Sequence, residues 1–174
     1  VVIALLWLWI LNPQYGIFNF FLSGLGLIHK PVSWLTGPST AMPMLILATV
    51  WKSLPYNTLM LLAGLQVVDP EQHEAAMVDG ATAAQRFWHV TVPAMRNVIM
   101  VVTLMGTIWG FQQFTLIWTT TKGGPMRVTE TLPIFIYRDA FQGYDMGYAS
   151  AAGLLGLIFL TLFALIYIRL LRRS

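Results

Sequence analysis

The sequence predicts an all-α fold, a polytopic bundle of membrane-spanning helices with three full spans and one partial span at the N-terminus. Three observations carry this. Of the 174 residues 57% are hydrophobic and only 10% charged, with mean hydropathy +0.68, whereas a soluble domain carries about 25% charged residues. A water-soluble chain of this size cannot hide so much apolar surface, since small domains keep a large exposed fraction. The apolar residues also fall in long runs: 1–11, 41–68, 93–118 (most apolar from Val98 to Trp118) and 148–170. Crossing a bilayer takes about 20 residues. Seven Trp and six Tyr suit the membrane–water boundary.

Val1 to Leu11 is half a span, ended by Asn12-Pro13; with no start Met and no basic leader before it, it reads as the second half of a truncated span rather than a signal peptide. Asn12-Pro13-Gln14-Tyr15-Gly16 reads as a turn. Ile17 to Ile28 is apolar but broken by Asn19, Ser23, Gly24 and Gly26, and suits a segment in the interface or one dipping part-way in. The 41–68 span contains Pro43, Lys52, Pro55, Tyr56 and Asn57. A mid-span Lys is costly in hydrocarbon unless it snorkels or finds a partner, so this helix belongs in a bundle or beside a water-filled path, or else starts late enough to leave Lys52 near the surface. The second full span carries Trp109, Gln112, Gln113 and Phe114 near its far end. Lys122-Gly123-Gly124-Pro125 signals a turn in the 119–147 loop, and Thr131 to Phe141 reads as a short surface helix. The last span starts with small residues, Ala149, Ala151, Ala152, Gly153 and Gly156, which let helices approach closely. Arg169, Arg172 and Arg173 follow it and mark a cytoplasmic flank. Parity then puts 69–97 in the cytoplasm and both 12–40 and 119–147 outside.

The segment 69–92 is the most polar. Asp69 can cap a helix, Pro70 suits its first turn, and Gln72 stands three after the cap. Glu71 sits favourably at the positive end of the helix dipole. Gly80 can end this helix in a left-handed conformation. Thr82 with Gln85 repeats the capping pattern and starts a second helix through Val90. Two short helices with a sharp glycine turn result. Ala75, Ala76 and Ala81 permit close approach of another surface; Met77, Phe87 and Trp88 offer apolar contact. These residues alone fit either a hairpin packed on its own protein or one docked on another.

Several function classes are excluded. With no Cys, disulfides, thiolate metal sites and cysteine nucleophiles are ruled out. A net charge of +3 without a basic run argues against nucleic acid. No phosphate-binding Gly-x-x-x-x-Gly-Lys-Ser/Thr loop occurs, so ATP is not bound by this chain. His29, His73 and His89 lack metal-ligand spacing; the two in the 69–92 segment read as facing solvent or packing locally. No cofactor, metal or catalytic residue is expected. A secondary transporter or channel would need ion-coupling groups at the midplane, where Lys52 is nearly the whole charge inventory. A membrane enzyme would show a cluster of His or acidic residues, and none appears.

Glu74-Ala75-Ala76-x-x-Asp79-Gly80-Ala81, then Phe87, then Val90-x-Val92-Pro93, resembles the EAA loop of bacterial ABC importer permeases, generally Glu-Ala-Ala-x-x-x-Gly followed by Ile-x-Leu-Pro. Val90 and Val92 replace the usual Ile and Leu with similar shapes; Asn97 stands where many relatives carry a second Pro, which leaves the start of the next helix open. Gly123-Gly124-Pro125, Thr129-Glu130-Thr131-Leu132-Pro133, Ile136-Tyr137-Arg138, Ala140-Phe141 and Gly147-Tyr148 look like the maltose and glycerol-phosphate type of carbohydrate permease. Trp7, Asn12 to Gly16, Asn19 and Trp51-Lys52-Ser53-Leu54-Pro55 are similar to the same group, so the resemblance covers essentially the whole chain. It implies a type I importer permease lacking its first spans, of which 1–174 is the C-terminal part of a single transmembrane domain in the bacterial inner membrane, with EAA loop and C-terminus cytoplasmic. The coupling helix, Glu74, Ala75, Ala76, Asp79, Gly80, Ala81, Phe87 and Pro93, would sit in a cleft of a separate cytoplasmic ABC ATPase dimer that hydrolyses the ATP. A second permease subunit, commonly a different one, and a periplasmic or lipid-anchored solute-binding protein complete the implied assembly, with a sugar as solute. Tyr56, Asn57, Trp109, Gln112, Gln113 and Phe114 are the polar and aromatic groups at membrane depth suited to such a solute. The two glutamines are equally suited to cross-linking helices.

Overall fold

The computed structural model describes the backbone of residues 1–172 and the side chains of residues 1–170. Those residues form helices without strands: α1 (Val2–Ile10), α2 (Ile17–Gly24), α3 (Ala41–Leu65), α4 (Pro70–Val78), α5 (Ala83–Arg86), a π-helical turn (Phe87–Thr91), α6 (Val92–Ala94), α7 (Arg96–Phe111), α8 (Thr115–Thr120), α9 (Leu132–Phe141) and α10 (Met146–Arg172). Three stretches of 25 residues, Ala41–Leu65, Arg96–Thr120 and Met146–Leu170, are long and apolar enough to cross a membrane. Each would rise about 37 Å as a continuous helix, against a hydrocarbon core of about 30 Å. Their residues are mostly unburied within the chain, as expected when lipid or other helices are the surroundings. Of the basic tail, Arg173 and the side chain of Arg172 lie outside the described residues.

The chain divides into two compact units, Val1–Lys52 with Trp109–Phe163 and Ser53–Ile108 with Ala164–Ser174. The core of the first unit is Ala4, Trp7, Leu11, Leu45, Ala48, Leu116, Ile117 and Ile134, with α1 packed on α8. Trp7 meets Trp51 edge-on at 6.1 Å, so the partial span is built into this core through its aromatic face. Small residues of α10 admit α9. A Cβ on Gly156 would clash with Leu132 Cδ2, and one on Gly153 would lie 3.8 Å from Ile136 Cδ1. For that reason α9, the short helix expected from sequence, is packed on one side: Ile134 and Ala140 are buried, and its other residues stay partly or fully exposed.

The middle span expected from Val98 to Trp118 lies within the span-length stretch Arg96–Thr120, and its helix is interrupted at Gln112–Phe114 between α7 and α8. Gln113 N–H turns back to Gly110 O at 3.3 Å. Gly106 and Gly110 weaken the helix just before the break, and two adjacent amides supply polar groups to an otherwise apolar run.

In the second unit α3 lies tightly against the start of the next span. Gly64 is buried, and a Cβ there would sit 3.1 Å from both Met95 Cε and Val98 Cβ. Tyr167 donates its hydroxyl to Met100 O at 3.4 Å. Buried Met95 and Thr91 mark the seat on which the 69–92 hairpin stands.

Candidate functional site

The hairpin is assembled by local bonding at each step. Asp69 caps α4 by accepting from Glu71 N–H at 2.9 Å, with Pro70 in the first turn. At the other end Gly80 takes φ +76. Gly80 N–H then donates to Met77 O at 3.0 Å and Ala81 N–H to Ala76 O at 2.9 Å, the paired bonds of a Schellman motif. The last alanine of the Glu-Ala-Ala triplet is therefore bonded to the alanine that follows the glycine. Thr82 starts α5 with a reciprocal capping box: its hydroxyl accepts from Gln85 N–H, and Gln85 Oε1 accepts from Thr82 N–H at 2.8 Å. Thr82→Ala is expected to destabilise α5 by about 1 kcal/mol, read as faster hydrogen exchange of the amides from Gln85 to Phe87.

One cross-link stiffens the hairpin against its seat. His73 Nε2 lies 3.2 Å from the hydroxyl of buried Thr91, so His73 packs locally. Thr91 falls in the π-helical turn, an insertion that rotates the following residues relative to a regular α-helix. Sequence reading missed this contact because its partners are eighteen residues apart.

The hairpin presents an uncovered face. Glu74, Ala75, Asp79, Gly80, Phe87 and Pro93 are exposed, and Ala76 and Ala81 half-buried. Val78 is 88% and Trp88 64% exposed, and Trp88 meets Phe87 edge-on at 5.2 Å. Apolar side chains, two small alanines and carboxylates are thus displayed on a double-capped, glycine-closed hairpin.

The polar groups at membrane depth divide between the units. Tyr56 and Asn57 fall in the second, Tyr56 exposed and Asn57 half-buried. Trp109, Gln112, Gln113 and Phe114 fall in the first, at and beside the break between α7 and α8. There Lys52 Nζ donates to Gln113 Oε1 at 3.3 Å, so the mid-span cation finds its partner in this amide. Gln113 Nε2 is buried without an acceptor, as is the Thr131 hydroxyl without a partner; both residues line a cavity of about 240 Å³ with Thr49 and Gly110. Gln112 is exposed and borders a separate apolar groove of about 450 Å³. Phe114 is already engaged, stacked on Trp118 at 5.7 Å and 5.2 Å from Tyr137; Trp118 and Tyr137 were not among the solute candidates read from sequence.

Over residues 1–174 the sequence matches the family described as binding-protein-dependent transport system inner membrane component. It is 35% identical over 169 residues to the trehalose/maltose transport system permease protein MalF of Thermococcus litoralis, covering 97% of this chain and 56% of that protein. It is 36% identical over 151 residues to the sn-glycerol-3-phosphate transport system permease protein UgpA of Brucella abortus, covering 86% and 50%. The chain thus spans about half the length of these curated relatives. In structure it is similar to a chain of a bacterial ABC transporter involved in import of the acidic polysaccharide alginate, with a TM-score of 0.86 and 27% identity over 99% of this chain and 60% of that one. A further match of the same TM-score is to the alginate transporter in complex with an alginate pentasaccharide-bound periplasmic protein.

Proposed function

Because the chain belongs to the family of inner membrane components of binding-protein-dependent transport systems, we propose that it is the C-terminal part of a permease subunit of an ATP-binding-cassette importer. The solute is a carbohydrate or a glycerol-phosphate-like molecule, as the names of its relatives support, and the membrane is the bacterial inner membrane. The single observation that carries the ATP-driven reading is the Schellman-closed hairpin with its exposed Glu74, Ala75, Asp79, Gly80 and Phe87. A stiff knob that small residues let another protein enclose is suited to transmit force from a separate cytoplasmic ATPase dimer. Ala76, Ala81 and Pro93 shape that knob. The hairpin and the C-terminus lie in the cytoplasm, a second and different permease subunit completes the pathway, and a solute-binding protein delivers the solute from outside.

Cysteine placed at Ala75 in the assembled transporter is expected to crosslink to the ATPase subunit. Labelling of that cysteine by a membrane-impermeant reagent from outside intact cells would falsify the topology and the coupling role together. Uptake that persists without the ATPase subunit would favour a secondary transporter instead.

For the solute path the reading rests on Lys52, exposed twelve residues into a 25-residue span. An ammonium at that depth is strongly disfavoured against lipid, so this side of α3 faces water or a polar partner. Gln113 carries the path on the same unit, with Gln112, Phe114 and Trp109 bordering the helix break; Tyr56 and Asn57 are separate candidates for solute contact. Hydrogen bonds to charged groups are worth about 1.5–3 kcal/mol, so Gln113→Leu is expected to lower uptake roughly tenfold or more at normal assembly. Gln113→Glu, which still accepts from Lys52, separates the roles: restored stability with poor uptake supports solute contact, and full recovery of uptake reduces Gln113 to a helix cross-link.

A further inference from the structure

The connection from α1 to α3 carries a short helix whose apolar face has nothing over it. The buried face of α2 is fixed by one side chain. Asn19, 7% exposed, donates from Nδ2 to Val32 O at 3.0 Å and Pro13 O at 3.3 Å. Its Oδ1 accepts from Trp34 Nε1–H at 2.7 Å and Val32 N–H at 3.3 Å. Phe18 lies beside it, edge-on to Trp34 at 5.2 Å. With Phe18 and Asn19 turned inward, Ile17, Phe20 and Phe21 are forced outward, followed by Leu25 and Leu27; Phe20 is 76% and Leu25 70% exposed.

We propose that α2 lies along the bilayer surface with this face sunk into the boundary between headgroups and acyl chains, so that its partner is lipid. Three observations select lipid over another protein. Trp9 and Tyr15, both exposed, flank the outward face, as interfacial aromatics do. His29 and Lys30 follow as exposed polar groups, and a cation beyond an apolar face suits phosphate headgroups. Finally, only the short turn 11–16 separates α2 from α1, and Asn19 ties α2 back, so it stays at the level where α1 stops and α3 begins. A cleft of about 470 Å³ lined by Trp9, Tyr15, Ile17, Phe20, Ile28 and Pro31 opens beside this face and gives an acyl chain or headgroup room to enter.

Residues 1–174 hold no Cys, so an introduced cysteine is the only thiol of this segment. Phe20→Cys and, separately, Phe21→Cys are labelled with an environment-sensitive fluorophore in the assembled transporter, in nanodiscs. Lipids carry a nitroxide either near the headgroup or deep in the acyl chain. The expected result is stronger quenching by the shallow nitroxide at both positions. Stronger quenching by the deep nitroxide would show a segment dipping into the membrane. No quenching, with crosslinks from either introduced cysteine to another subunit or to the binding protein, would show a protein-covered face. Either result overturns the proposal, and neither bears on the ATPase-coupling reading.

Discussion

Gly80→Val is expected to abolish ATP-driven uptake by the assembled transporter while leaving the chain in the membrane at its normal amount. Packing is not the cause. A Cβ built on Gly80 meets nothing within 4 Å in this chain, so within the chain the effect comes from the backbone. At φ +76 an L-residue places its Cβ against the neighbouring carbonyl, at a cost of about 1–2 kcal/mol, more for a β-branched side chain. That cost is small against the whole fold but large against a hairpin closed by two bonds, Gly80 N–H to Met77 O and Ala81 N–H to Ala76 O. Relieving it turns the chain away from the Schellman geometry and changes the angle at which α4 meets α5. Under the proposed coupling role, a hairpin held at the wrong angle would transmit no force even when docked. The order of residual uptake is expected to be Gly80→Asn above Gly80→Ala above Gly80→Val, following tolerance for the left-handed region rather than side-chain size. Uptake and solute-stimulated ATP hydrolysis measured together check this. Normal uptake by the valine variant would sink the coupling role.

The parts of this protein that sequence reveals are those set by short-range physics. The three span-length stretches show as long apolar runs because a bilayer demands them whatever their neighbours. The hairpin shows because capping and left-handed glycine are decided within a few residues: Asp69, Gly80 and Thr82 behave as their side-chain chemistry dictates. What hydropathy hides is long-range. The interruption at Gln112–Phe114 lies inside a run apolar enough to read as unbroken, and the Lys52 link that accompanies it joins residues 61 apart. The packing of α9 depends on Gly153 and Gly156 of another helix. Asn19, which in sequence merely interrupts an apolar run, is a buried four-bond hub because Val32 and Trp34 return to meet it. The six residues suited to a solute at membrane depth share a chemical type but not a compact unit, since Tyr56 and Asn57 are separated from the rest.

The largest stability effect is expected at Arg138. Its guanidinium Nη1 donates to Glu130 Oε1 and Nη2 to Lys122 O at 3.1 Å, with the side chains of Arg138 and Glu130 only 22% and 12% exposed. This bridge closes the 122–131 loop, where the backbone is held unfavourably. Lys122, Met126 and Arg127 have φ of 52, 48 and 63, and Val128 N–H returns to Pro125 O at 2.9 Å. Non-glycine residues in that region cost about 1–2 kcal/mol each, so the loop keeps its shape only while its surroundings impose it. Thr129, fully buried, helps by donating to Gly124 O at 2.7 Å. Arg138→Met removes the clamp and leaves the half-buried Glu130 carboxylate with only the exposed Arg127, 3.7 Å away; a cost of about 2 kcal/mol is expected, between that of an exposed and a buried pair. Arg138→Met with Glu130→Leu is expected to regain part of that loss, because the stranded charge goes with its partner. Arg127→Ala is expected to change stability by less than about 1 kcal/mol, since that side chain is 70% exposed and 3.7 Å from Glu130. Thermal unfolding of the purified, fully assembled transporter carrying each variant reads all three. If the double variant is less stable than Arg138→Met alone, the carboxylate is not the source of the loss, and the loop is held by packing rather than by charge.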